Sequence, residues 1–233
     1  MWLKSSFSFL KHSNCHWHNW YFYLVYENNI RRRFSSLVPS TVYDFGSGDG
    51  HYRSIVSSYG HTYIGVDWGN SPHGGVPDIK ADLNQPLPIT DDEIDVVLCW
   101  SVLEHLPEPD SFLSELYRVL RPGGVVFLQV PFMWQIHEGP YDYYRYTKFG
   151  LAHLLSQAGF HDVSINPQSG IFVTLIMKIL YQIRRVIGNK NYFGLANILY
   201  LLSVPAYSIA HLLDKISRSE GETSGYIVTA IKL

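Results

Sequence analysis

"IDVVLCW", from Ile94 to Trp100, is apolar at every position except Asp95. A strand with one face in water alternates polar and apolar residues. A near-continuous run is buried on both faces, as happens where helices cover both sides of a parallel sheet. The neighbouring sequence has the matching order. "TVYDF" from Thr41 predicts a first strand, "GHYRSIVSSYG" a loop and helix, "TYIGVD" a second strand and "VPDIKADL" a weaker third. After the central run, "PDSFLSELYRVLRPGG" predicts a helix with Phe112, Leu113, Leu116, Val119 and Leu120 on one face. Asp110 is its expected N-cap and Gly123 its stop signal. "VVFLQV" is a fifth strand. "TKFGLAHLLSQAGF" is a second marked helix, capped by Thr147, faced by Leu151, Leu154, Leu155 and Ala158, and ended by Gly159. "HDVSIN" and the C-terminal "GYIVTAIKL" supply two further strands. Strand and helix in series give an α/β, Rossmann-like doubly wound sheet with right-handed crossovers. Ligands of such sheets gather at the C-terminal ends of the strands.

The 233 residues suffice for one full α/β domain. We expect an N-terminal arm and helix over 1–40, with the helix running from Asn19 to Val38 and ended by Pro39. Arg31, Arg32 and Arg33 suit the C-terminal end of its dipole. A single domain then spans 41–233. The net charge of -2 carries no basic excess, so no nucleic-acid partner is expected. Cys15 and Cys99 lie far apart, and Cys99 sits in the apolar run, which argues against a disulfide framework and for a reducing, cytoplasmic setting. The apolar stretch of "MWLKSSFSFLKHSNCHWHNW" is short and broken by lysine and histidine, unlike a signal peptide. His12, Cys15, His16 and His18 have no second ligand cluster at zinc-finger spacing, so an aromatic arm is the simpler reading and no metal is expected.

The loop after the first strand, "YDFGSGDG" from Tyr43 to Gly50, lets a large ligand lie against bare backbone. A dinucleotide fingerprint G-x-G-x-x-G starting at Gly46 would need glycine at 51, where His51 stands. No Walker lysine follows, which argues against a nucleoside triphosphatase. The spacing present is D-x-G-x-G-x-G through Asp44, Gly46, Gly48 and Gly50. Asp67 closes the second strand in "YIGVDW", "ADL" at Ala81–Leu83 follows the third, and "DVVLCWSVLEHLPEPDSFLSELYRVLRPGG" spans Asp95–Gly124.

In this order the segments resemble the class I S-adenosylmethionine-dependent methyltransferases, of the type 11-like kind. The resemblance implies a seven-stranded, mostly parallel sheet with an antiparallel last strand. It also implies S-adenosyl-L-methionine as cofactor, held by Asp44, Gly46, Ser47, Gly48, Gly50, Asp67, Trp68, Asp82, Leu83 and Trp100. Asp67 would accept from the ribose hydroxyls, Asp82 would face the adenine amino group, and Trp100 to His105 would border the methionine portion. The implied ligand is a sulfonium without phosphate, so acids belong where a phosphate cradle would place lysine.

Methyl transfer from a sulfonium is an in-line displacement, and an oxygen acceptor needs a base for its proton. "VPFMWQIHEGPYDYYRYTKFGL" leaves the fifth strand dense in His, Glu, Asp, Tyr and Arg. It resembles a subset of these enzymes with an H-x-x-P-x-D-Y-Y-R-Y-T segment, whose members often accompany cell-surface glycan or secondary-metabolite biosynthesis. His137 is the expected general base, since imidazole titrates near working pH. Tyr143, Tyr144 and Arg145 are the candidate acceptor contacts. Arg145 either binds an acidic group of the acceptor or pairs with Asp142 or Glu138. In a structural lid, Thr147 would instead serve only as a helix cap. Glu104 and His105 read as site architecture. The expected function is methyl transfer to a small molecule, at a hydroxyl of a saccharide, a lipid-linked glycan intermediate or a secondary metabolite. The rivals are an N-methyltransferase, a non-catalytic cofactor-binding module and, third, a dehydrogenase.

Between the last two strands lies an apolar helical insert, 171–219, that a plain hairpin does not need. Lys178, Arg184 and Arg185 make its first part too polar for a membrane span. Asn197, Ser203, Pro205, Ser208 and His211 dilute the second. Three readings stay open: a cover over the acceptor site, a membrane-surface contact through Arg184, Arg185 and Lys190 at the inner face, or a homodimer contact.

Overall fold

A computed structural model of the chain describes residues 18–69, 74–187, 195–217 and 220–233. In chain order its elements are α1 (Trp20–Phe34), β1 (Thr41–Phe45), α2 (Arg53–Ser57), β2 (Thr62–Asp67), β3 (Ile79–Lys80), β4 (Ile94–Trp100), α3 (Pro109–Val119), β5 (Leu120–Pro131), α4 (Lys148–Gln157), β6 (His161–Pro167), α5 (Ile171–Ile187), α6 (Leu195–Ser217) and β7 (Gly225–Ile231). A 3₁₀ turn at Leu103–His105 follows β4. The described residues form two compact units. One comprises those within 33–166 and 225–233, the other those within 18–32 and 167–224.

The larger unit is built on one seven-stranded sheet in the order β3-β2-β1-β4-β5-β7-β6. The pairs from β3 to β5 are parallel, and β5 pairs antiparallel with β7. The strand order reverses between β1 and β4, which opens the crevice where such sheets bind ligands. Tyr43, Phe45, Val97, Cys99, Val126 and Leu128 are buried in one core with Leu113 and Leu116 of α3 and Leu151 and Leu155 of α4. Phe127, alternating with Val126 and Leu128, meets the Phe34 ring instead, at 5.8 Å. Ile94–Trp100 is thus covered on both faces, as its apolar run requires.

Several boundaries differ from the sequence expectation, each for a local reason. The first helix stops at Phe34, short of Pro39, because the Ser36 amide and hydroxyl both donate to Arg33 O and close a turn. Arg33, in the arginine run at the end of this helix, lies over the Phe127 ring, 5.4 Å from its centroid. Pro109 opens α3 with Glu108 before it, and Asp110 sits in the first turn, where it favours the dipole without capping. The same helix ends at Val119. Gly123, at φ 78°, falls within β5, where the register with β4 shifts. The third strand shrinks to Ile79–Lys80. Thr147 does cap α4, accepting from the Gly150 amide at 3.1 Å, and Gly159 follows its end at φ 97°. Cys99 is a buried free thiol.

The smaller unit joins α1 to the two insert helices. Trp20 Nε1 donates to Ser203 Oγ at 2.9 Å, and the Tyr21 and Tyr207 rings stack at 4.1 Å. Asp214 of α6 accepts from the Gly170, Phe172 and Val173 amides, satisfying the open end of α5. His18 packs edge-on to Tyr181 at 4.8 Å. His12, Cys15, His16 and Lys190 lie outside the described residues.

Candidate active site

The glycine turn leaves β1 at the point where strand order reverses. Gly46, Gly48 and Gly50 all have positive φ, at 75°, 53° and 74°. At Gly46 the cause is contact as well as angle. A Cβ there would stand 2.2 Å from Val102 Cγ2, on the segment leaving β4. This glycine therefore also lets β1 close onto the segment after β4, beside the ligand access and backbone angle expected of it. Gly75, on the chain after β2, lies against the backbone of Gly48 and Asp49 so closely that only glycine fits. Ser47 is buried, and its hydroxyl occupies the space that a side chain at Gly65 would take.

Three acids are buried at the strand ends around this turn: Asp44, Asp67 and Glu104. Asp44 accepts from the Tyr63 hydroxyl at 2.5 Å. Burial pushes its carboxyl up to about 7, against the pull of Tyr63, with the Asp67 charge adding to the rise. Asp67 Oδ2 accepts from the Gly48 amide at 2.9 Å, whereas Oδ1 has only a long contact, 3.4 Å, from the Gly69 amide. That carboxylate keeps acceptor capacity at the place where a ribose would lie. Buried acids with no lysine in the turn fit a cationic ligand and fit a phosphate poorly. Trp68 is half exposed and meets the Tyr141 ring edge-on at 6.0 Å. Trp100 is buried at the end of β4, with the Tyr52 ring 6.3 Å away. Asp82 is exposed and turns back on itself, accepting from the Asn84 amide and side chain, while Leu83 packs on the core.

A second cluster stands beyond β4 and β5. Glu104 is fully buried, and neither carboxylate oxygen has a hydrogen-bond partner. His105 Nε2 and His137 Nε2 each stand 3.7 Å from Glu104 Oε1, beyond hydrogen-bond reach, and the ligand atoms of the three residues fall within 4.8 Å of one another. His105 Nδ1 faces Tyr141 O at 2.9 Å. His137 Nδ1 lies 3.3 Å from both Asp142 Oδ2 and Arg145 Nη2. Burial alone would lower the His137 pKa, but Glu104 and Asp142 outweigh it and raise the value above that of free histidine. Ser101 and Glu138 sit beside the cluster with φ of 54° and 50°, a conformation unusual for non-glycine residues.

The loop after β5 is pinned from within. Asp142 accepts from Arg145 Nη1 at 2.6 Å and Nη2 at 2.7 Å, and from the His137 amide at 2.9 Å. Burial would raise its carboxyl; Arg145 and that amide instead hold it down to about 2. Arg145 also donates to the carbonyls of Trp134, Tyr144 and Gln135. Every N–H of its fork is committed, so of the two roles open to it the geometry favours the bridge. Tyr143 and Tyr144 expose their rings while their amides donate to Glu104 O, and the Tyr144 hydroxyl donates to Pro107 O. The full burial of Glu104 was not legible in the sequence, where it is the one acid of "SVLEHL".

The comparisons with known proteins agree with the fold and the motif order. Residues 43–128 match a family described as a methyltransferase domain. A Mycobacterium ulcerans protein described as an uncharacterized methyltransferase is 31% identical over 143 residues, covering 58% of this chain and 53% of its own. A probable S-adenosylmethionine-dependent methyltransferase from Mycolicibacterium smegmatis is 28% identical over 164 residues, covering 65% and 63%. The chain thus spans between half and two thirds of the length of these relatives. Phosphoethanolamine N-methyltransferase 2 of Haemonchus contortus, in complex with S-adenosyl-L-methionine, superposes with a TM-score of 0.58 at 19% identity, over 89% of this chain and 52% of that one. A methyltransferase from Archaeoglobus fulgidus superposes at 0.57 and 19% identity, over 89% and 93%. Sheet order, glycine turn and sequence matches together place the methyltransferase domain at residues 43–128 among the class I S-adenosylmethionine-dependent methyltransferases.

Proposed function

We propose that the chain transfers a methyl group from S-adenosylmethionine to a hydroxyl of a small acceptor: a saccharide, a lipid-linked glycan intermediate or a secondary metabolite. The observation that carries the oxygen acceptor is the buried Glu104 carboxylate beside two imidazole Nε2 atoms at the edge of the sheet where substrates enter. Asp44, the glycine-turn amides, Asp67, Trp68, Asp82, Leu83 and Trp100 are the donor site, with Asp67 Oδ1 open to the ribose hydroxyls. When bound, the cofactor supplies an electrophilic methyl group on a sulfonium. The chain's own residues align the acceptor, keep water out and hold its proton.

His137 takes that proton. With Nδ1–H turned toward Asp142, Nε2 carries the lone pair and Glu104 balances the imidazolium charge that forms. Arg145 fixes Asp142 and the His137 backbone, and so acts as a positioning residue. Tyr143 and Tyr144 flank the entrance.

Calorimetry with S-adenosylhomocysteine and with NAD tests the donor site. We expect binding of the first alone, weakened at least about tenfold in Asp67→Ala, the scale of a lost hydrogen bond to a charged group. Turnover of hydroxyl and amine acceptors with labelled donor tests the rest. His137→Ala should keep donor affinity and lose about a hundredfold or more in kcat. Near wild-type turnover of a hydroxyl acceptor by His137→Ala would sink the base assignment. Transfer to amines alone would make the chain an N-methyltransferase, and donor binding without transfer to any acceptor a binding module.

A further inference from the structure

α6 is anchored on one side and bare on the other. Ser203, Tyr207 and Ala210 are buried on its inner face, where Trp20 and Tyr21 hold it. Ile198, Leu201, Leu202, Ile209, Leu212 and Ile216 recur at helical spacing on the opposite face, each more than half exposed. α5 repeats the pattern: Val173, Met177 and Leu180 are buried, whereas Leu175, Ile179 and Val186 face outward. Aliphatic side chains exposed at helical spacing on two helices of one unit exceed the scattered apolar exposure of ordinary surfaces.

Apart from one acid, the charged side chains of these two helices are of one sign. Asp214, the acid on the two helices, is spent on the amides that open α5. The other charged side chains of α5 and α6 in the described residues are Lys178, Arg184, Arg185 and Lys215, all cationic. Glu220 and Glu222 lie beyond α6, in the chain leading to β7. Among the described residues no helix is long and apolar enough to cross a membrane, and the inner face of α6 is already committed to α1.

We infer that the outer face of α5 and α6 docks on an anionic lipid surface, lying in the plane of the interface. Aliphatic side chains would enter the headgroup boundary while the cations meet lipid phosphates. A two-fold contact with a second copy would set the same cationic helices against each other, so lipid fits the charge pattern better. The inference is independent of the methyl-transfer reading.

Flotation of the full chain with phosphatidylcholine vesicles, with and without phosphatidylglycerol, tests it. The chain should float with phosphatidylglycerol vesicles, less with phosphatidylcholine alone and less again in high salt. Leu201→Glu/Leu212→Glu changes exposed positions only, and should abolish flotation with no shift in melting temperature. Each cation near an anionic surface is worth about fivefold in partitioning. Lys178→Glu/Arg185→Glu should therefore weaken binding to phosphatidylglycerol vesicles by about twenty-fivefold or more, and spare the residual binding to phosphatidylcholine. Equal flotation of wild type and the leucine variant overturns the inference. So does a wild-type dimer in sedimentation velocity that the leucine variant converts to a monomer, which would make the face a contact between copies.

Discussion

Glu104→Gln isolates the electrostatic core of the site. The substitution keeps shape and volume and removes a charge that stands 3.7 Å from Nε2 of both His105 and His137. At an effective dielectric of about 20, unit charges about 4 Å apart interact by about 4 kcal/mol, equivalent to about three pKa units. Asp142 and Arg145 also act on His137, with opposite signs, and its side chain is 25% exposed, so solvent screens part of the field. We therefore expect the His137 pKa to fall, by less than that unscreened interaction would give. The direction follows from the arrangement: Glu104 favours the imidazolium, and without it the neutral ring prevails to lower pH. NMR titration of ring-labelled histidines reads this directly and needs no acceptor, with His137→Asn assigning the resonance. Once an acceptor is found, the acid limb of the rate profile should move the same way while kcat drops, because a weaker base faces the proton. An unmoved His137 titration in Glu104→Gln would refute the account, since the carboxylate would then exert no field on the ring.

Gly46→Ala places a Cβ 2.2 Å from Val102 Cγ2 at φ 75°, and should cost about 3 kcal/mol in urea denaturation from overpacking and backbone strain; Val102→Ala on the same chain should return about half. Asp142 is held near a pKa of about 2, so its stabilisation is present above the unfolded value near ~3.9 and is lost as pH falls through that range toward the folded one. Asp142→Asn should accordingly lower the melting temperature at pH 7 and flatten its fall between about pH 4 and 2, measured by circular dichroism. With His137 as base, dialysis against EDTA should leave turnover unchanged. A loss restored by zinc or manganese would turn Glu104, His105 and His137 into metal ligands, the alternative their spacing offers.

Local rules made most of the sheet and the glycine turn legible. The run at Ile94–Trp100, the glycines at 48 and 50 and the Thr147 cap are each decided by neighbours within a few residues. The sequence is less informative where a distant residue decides. Gly46 answers to Val102, which no pattern around position 46 contains. Asp110 loses the cap because Pro109 already opens the helix. The burial of Glu104 depends on the 3₁₀ turn after β4, and the neighbouring His137 arrives from the loop after β5. The same long-range logic separates the two ends of the candidate site. In the proposed reading, donor binding relies on backbone shape at strand ends, which glycine and acid spacing encode in sequence. Proton acceptance, as proposed, relies on a buried charge beside rings from two loops, and a sequence does not record which side chains share one field. That difference explains why motifs alone name the donor and leave the acceptor open. It also predicts where substitutions will part the two: changes at Asp67 should act on donor affinity, and changes at Glu104 or His137 on the proton step with the donor still bound.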